Sequence, residues 1–252
     1  MAVVPWGFTA PKENPMVPRA GLALLAPLLL LSALACGGGG GTTRAASASF
    51  GVLSDTHLLD AAALGASGPD FQAYLAQDRK MLAQSEELLD AALVDLTGRK
   101  LDFVLVTGDL TKDGEKVDHE LMAQKLAQLR AAGTPAFVIP GNHDINNPDA
   151  VSYLTLPPSA VAQVTPAEFK AIYSECGYGS ALYQDPASLS YIAEPVAGLW
   201  LFALDSAKYA DNAALGVPVT SGALSPATQA WVLGHLQPVS YTHLTLPTNY
   251  SV

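Results

Sequence analysis

Three short apolar runs, each ending in polar residues and separated by helical stretches, constrain the fold of this chain more than any other feature. Residues 49–53 run into Asp55-Thr56-His57, residues 101–107 into Gly108-Asp109, and residues 135–140 into Gly141-Asn142-His143-Asp144. Between the first two, residues 70–99 carry Leu75, Met81, Leu82, Leu88, Leu89, Leu93 and Leu96 at helical spacing, with Gly98 as a stop signal. Residues 117–132 read as a second helix, stopped by Gly133. The middle run, Phe103 to Val106, is apolar without interruption, as a strand covered on both faces requires. Strand, helix, strand, helix, strand predicts an α/β fold with a largely parallel sheet and right-handed crossovers. Ligands of such sheets bind beyond the carboxyl ends of the strands. All three polar motifs fall there.

The chain loosens after Asp144. Residues 146–158 are rich in Asn and Pro and read as a loop near the site. Thr165-Pro166-Ala167-Glu168 is a capping box with Pro at the first helical position, and it predicts a helix running to about residue 175. Residues 189–193 and 199–204 read as a strand pair turned at Gly198, which begins a second sheet. Ser225-Pro226 opens a last helix that carries Gln229, Trp231 and Leu236.

The amino-terminal part reads as a leader. Arg19 precedes an apolar run over residues 20–35, which ends Leu34-Ala35-Cys36. At 16 residues and with Pro27 inside it, the run is shorter than the roughly 20 residues that span a membrane. Met16 is a reasonable true start. Ser32 to Cys36 resembles a bacterial lipobox, which implies cleavage before Cys36 and a lipid on its thiol. The Gly run 37–41 and the small residues after it read as a tether. The expected organisation is a leader over 1–36, a linker over 37–47 and a folded domain over 48–237. The expected location is exported, periplasmic or at the cell surface, with the membrane touched only through a lipid anchor at Cys36.

The net charge is −10 with no basic stripe, so nucleic acid is not the expected partner. An acidic chain can still take a phosphate substrate where metal ions supply the local positive field. Of the two cysteines, Cys36 belongs to the leader, and Cys176 reads as a small, partly buried apolar residue.

The motif residues are hard or borderline metal ligands. Asp55 and His57 stand two apart, so at a strand end both side chains can reach one cation. Asp109 offers two oxygens and can bridge two cations. Asn142 offers a neutral amide oxygen. His143 can be a ligand or a proton donor oriented by Asp144. Each has an ordinary reading taken singly: a chance spacing, a turn or cap aspartate, a Gly-Asn turn. Jointly they fit one model, because each follows a strand in a strand–helix–strand context.

In these residues the chain resembles the calcineurin-like metallophosphoesterases, whose pattern is D-x-H, G-D, G-N-H-D/E, a lone His and then G-H-x-H. The resemblance implies an α/β/β/α sandwich with two mixed sheets, the second incomplete here. It implies that Asp55 and His57 bind a first metal, that Asp109 bridges, and that Asn142 binds a second. His143 would orient phosphate and protonate the leaving group, with Asp144 as its orienter. Two divalent ions (Mn, Fe or Zn) would activate a hydroxide against a small phosphate mono- or diester. Leu204-Asp205-Ser206 and Gln229-x-Trp231 resemble later parts of the family's exported bacterial members, so the likeness covers residues 49 to 237.

The departure lies after Trp231, where the lone His and the G-H-x-H do not occur. His235 matches neither, and His119 reads as a structural helix residue. Lys112 stands where purple acid phosphatases carry a metal-binding Tyr, which argues against a ferric-tyrosinate centre. Residues 239–248 resemble a translated transposase-adapter sequence, so residues 238–252 are set aside from the fold and His243 is not taken for a ligand. The chain thus reads as a truncated family member, with weak metal binding and little turnover expected. The alternative is a non-catalytic surface lipoprotein that uses the same fold for binding.

Overall fold

The computed structural model describes residues 2–5 and 47–236. The apolar leader run, Cys36, linker residues 37–46 and the tail 237–252 lie outside the described residues. Strand β1 (Ala2–Pro5) is followed by β2 (Phe50–Leu53), helix α1 (Pro69–Leu75), α2 (Ser85–Gly98), β3 (Phe103–Thr107), α3 (Lys116–Ala131) and β4 (Ala136–Ile139). After these come β5 (Val151–Ser152), β6 (Ser159–Ala160), α4 (Pro166–Ile172), β7 (Tyr183–Gln184), β8 (Tyr191–Val196), β9 (Leu199–Ala203), α5 (Asn212–Leu215) and α6 (Pro226–Leu236).

The first sheet has the order β2-β3-β4 and is parallel throughout, as the strand–helix alternation predicts. The second has the order β1-β9-β8-β7 and is antiparallel throughout. Alternation in β8 and β9 shows why the two stack. Tyr191, Ala193, Leu199, Leu201 and Ala203 face the main core with β3, β4, α2 and α3. Ile192, Trp200 and Phe202 face the other way, against Trp231, Val232 and Leu236 of α6. A strand places successive side chains on opposite faces, so both faces of this sheet are covered. The layers are helices, parallel sheet, antiparallel sheet and helix, the α/β/β/α arrangement expected.

Two helical expectations are corrected. The single helix over 70–99 is two helices, α1 and α2, joined by a turn and a short 3-10 segment, Leu82–Gln84. The Asp78 side chain accepts the Lys80 N–H at 3.0 Å, which competes with a continuing helix. The two helices also bury different clusters. Phe71 packs with Leu59, Leu64 and Leu82, whereas Leu89, Leu93 and Leu96 join the main core. Met81 and Leu88, expected on the apolar face, are 61% and 50% exposed. The helix from Pro166 ends at Ile172, and a π-turn over Ser174–Tyr178 follows, with Gly177 at φ 110°. The capping box is formed as expected: Glu168 N–H donates to Thr165 Oγ1, and Thr165 N–H donates to the Glu168 carboxylate. Residues 146–158 are a loop apart from β5, which pairs with β6.

Candidate metal centre

The chain leaving β2 runs beside the chain leaving β3. Asp55 N–H donates to Gly108 O at 3.1 Å, His57 N–H to Asp109 O at 3.0 Å and Leu58 N–H to Leu110 O at 2.9 Å. These bonds bring Asp55, His57 and Asp109 together, with one ligand atom of each within 4.8 Å of the others. The convergence does not come from strand alternation, since β2 ends at Leu53. It comes from left-handed backbone: φ is 54° at Asp55, 40° at His57 and 48° at Asp109. Asp and His tolerate this region better than most residues, and such conformations collect at functional sites.

Glycine completes the cradle. A Cβ on Gly141 would overlap the Asp109 carboxylate and main-chain nitrogen. A Cβ on Gly108, where φ is 97°, would lie 2.8 Å from Gly141 Cα. The loops after β3 and β4 therefore touch backbone to backbone. Asn142 shares with Asp55 and Asp109 a polar cavity of about 270 Å³, walled opposite by Ser206 and residues 219–222. Among the described residues its side-chain nitrogen is buried with no hydrogen-bond partner.

His143 is held at three points. Its N–H donates to Asp109 Oδ1 at 3.0 Å, its ring stands edge-on to His57 at 5.2 Å, and Nδ1 lies 2.8 Å from Asp113 Oδ1. Burial pulls the His143 imidazole down. The Asp113 hydrogen bond and the charges of Asp109 and Asp113 together outweigh it, so the pKa stands above the ordinary value. Burial raises Asp113, but the His143 hydrogen bond and the Lys112 cation hold its carboxyl below the usual range. For His57, burial lowers the imidazole and the Lys80 ammonium adds to that, against the opposing pull of Asp109.

The pairing of His143 with Asp144 is corrected by this geometry. Asp144 is fully buried and turned to the backbone: Oδ1 accepts Leu110 N–H at 2.9 Å and Thr111 N–H at 3.1 Å, and Oδ2 accepts Gly141 N–H at 2.7 Å. It braces two loops, and burial followed by the charge of Asp109 raises it to about 6. Asp113 was not singled out in the sequence. Its signal was a second acidic residue in the same loop as Asp109. Asn212 was also missed, and it carries no local signal.

Residues 48–212 match the calcineurin-like phosphoesterases. The chain belongs to that family. Comparison with curated proteins gives no match. Family members are typically metal-dependent phosphoesterases, and the residues here fit a divalent cation. Two carboxylates and an imidazole converge, and Gly141 leaves room for the Asp109 carboxylate. His119 is the structural residue expected, fully buried, with ring nitrogens 2.9 Å from Tyr173 Oη and 2.8 Å from Asp144 O. Cys176 is buried at 6% exposure, and burial raises its thiol to about 11. A second, larger cavity of about 490 Å³ opens beside Asp55 and His57, with Arg79 and Lys80 on its wall.

Proposed function

We propose that this site hydrolyses small phosphate mono- or diesters with two divalent ions (Mn, Fe or Zn) held by Asp55, His57, Asp109 and Asn142. The convergence of Asp55, His57 and Asp109 carries the reading. Bound ions would supply Lewis acidity and positive charge against the phosphate. His143 donates a proton to the leaving-group oxygen. Its Nδ1 faces Asp113, which leaves Nε2 as the donor, and the pKa raised by the Asp113 and Asp109 carboxylates favours the protonated ring. Asp144 acts through the backbone, by holding the loops of Asp109 and Asn142 together. Arg79 and Lys80 add positive charge on the open side. Export with a lipid on Cys36 completes the proposal, and labelling with a fatty-acid probe tests it.

Mn²⁺ titration of the full chain by electron paramagnetic resonance, with aryl-phosphate hydrolysis alongside, tests the chemistry. The expected result is Mn²⁺ binding that Asp109→Asn abolishes, with hydrolysis that a chelator removes. Absent binding, or hydrolysis indifferent to chelator and to Asp109→Asn, overturns it. Bound Mn²⁺ without hydrolysis supports the binding-only alternative.

A further inference from the structure

Behind the His143–Asp113 pair lies a cation that the chemistry above does not use. Lys112 is fully buried. Its Nζ donates to Asp113 Oδ2 at 2.5 Å and to Glu115 Oε1 at 3.1 Å. The rings of Tyr74 and Tyr153 lie 4.9 and 5.8 Å from it, so the remaining face of the ammonium meets aromatic surface. Glu115 Oε2 accepts the Asp113 N–H at 2.8 Å, which closes a ring of contacts around the loop.

The two Asp113 oxygens are thereby divided. Oδ2 takes Lys112 and, at 3.4 Å, the Tyr74 hydroxyl. Oδ1 faces His143 Nδ1 at 2.8 Å, with the Asn147 amide at 3.5 Å. A carboxylate torsion is soft and roughly two-fold. A buried ammonium on one oxygen removes that freedom. The ammonium does not cancel the attraction: set against the two carboxylates of Asp113 and Glu115, it leaves a net negative cluster facing the imidazole. Asp118, packed behind Glu115, adds no further charge, because burial and then Glu115 raise it to about 9.

We propose that Lys112 is a positioning residue for His143: by occupying Oδ2 of Asp113 it turns Oδ1 to the imidazole and fixes the proton on Nδ1. This role rests on the proposed function of His143, but its test needs neither metal nor turnover. Long-range proton–nitrogen correlation on the full chain with ¹⁵N-labelled histidine reads the ring directly, with His143→Gln giving the assignment. In the unaltered chain His143 shows a protonated Nδ1 protected from exchange. An unprotonated or freely exchanging Nδ1 overturns the proposal at once. Lys112→Met removes the protected signal, and Lys112→Arg, which keeps a cation, restores it in part. Lys112→Met/Glu115→Gln removes one charge of each sign, so the same measurement holds if the single variant does not fold. A folded variant lacking Lys112 with an unchanged His143 signal sinks the proposal. An inactive chain that retains the lysine-dependent signal refutes the function and leaves the positioning intact.

Discussion

The side-chain amide of Asn212 donates to the main-chain oxygen of Asn142 at 3.1 Å, across 70 residues of chain. The same nitrogen reaches Ile145 O at 3.1 Å, and the amide oxygen accepts Val219 N–H at 2.8 Å. A fully buried side chain thus ties the loop carrying Asn142 to the far wall of the polar cavity. Asn212→Ala leaves these main-chain groups unpaired and is expected to cost about 1–3 kcal/mol, read by urea unfolding. Mn²⁺ affinity falls with it. An unchanged midpoint and affinity would show that the tie is idle.

Gly141 cannot take a side chain without moving Asp109. Gly141→Ala is expected to destabilise by about 1–3 kcal/mol through overpacking and to abolish Mn²⁺ binding. Gly98 is the control, since a Cβ there meets nothing within 4 Å at the end of α2. Gly98→Ala is expected to leave Mn²⁺ binding intact and to raise stability by about 0.5–1 kcal/mol. Equal behaviour of the two variants would contradict the cradle.

Burial, against the Asp144 main-chain contact and the charge of Glu115, lowers His119 from 6.5 to about 4. Below pH 6.5 the unfolded chain takes up a proton here and the folded chain does not. This stability is therefore complete above pH 6.5 and is lost as the pH falls towards 4, by about 3 kcal/mol at about 1.4 kcal/mol per pH unit. Asp118 titrates in the opposite sense, so wild type is compared with His119→Gln. Their difference in unfolding free energy should shift by that amount between pH 6.5 and 4. A pH-independent difference refutes it.

Thr165 caps α4 through its hydroxyl and meets Glu168 in return. Thr165→Ala is expected to cost about 1 kcal/mol of stability, measured by thermal unfolding, with Mn²⁺ binding unaffected. A loss of metal affinity would mean that α4 couples to the site.

The elements read from sequence held where one local rule decides. The unbroken apolar run at Phe103–Val106 gave a buried central strand, and the Thr165–Glu168 pattern gave a cap. The single helix over 70–99 failed because spacing cannot show that Phe71 and Leu93 bury in different clusters. The pairing of His143 with Asp144 failed for a similar reason. Neighbours in sequence point apart here, and the aspartate that reaches the ring is Asp113, 30 residues earlier.

Sequence alone determined the family, the strand–helix alternation of the parallel sheet, and which residue types stand at its strand ends, because each rests on short-range pattern and chemistry. The tertiary structure decided the convergence. Left-handed backbone at Asp55, His57 and Asp109, the contact of Gly108 with Gly141 and the burial of Lys112 and Asn212 arise only when distant loops pack. A hydrogen bond or an excluded Cβ depends on what lies across the fold, and no local pattern carries that information.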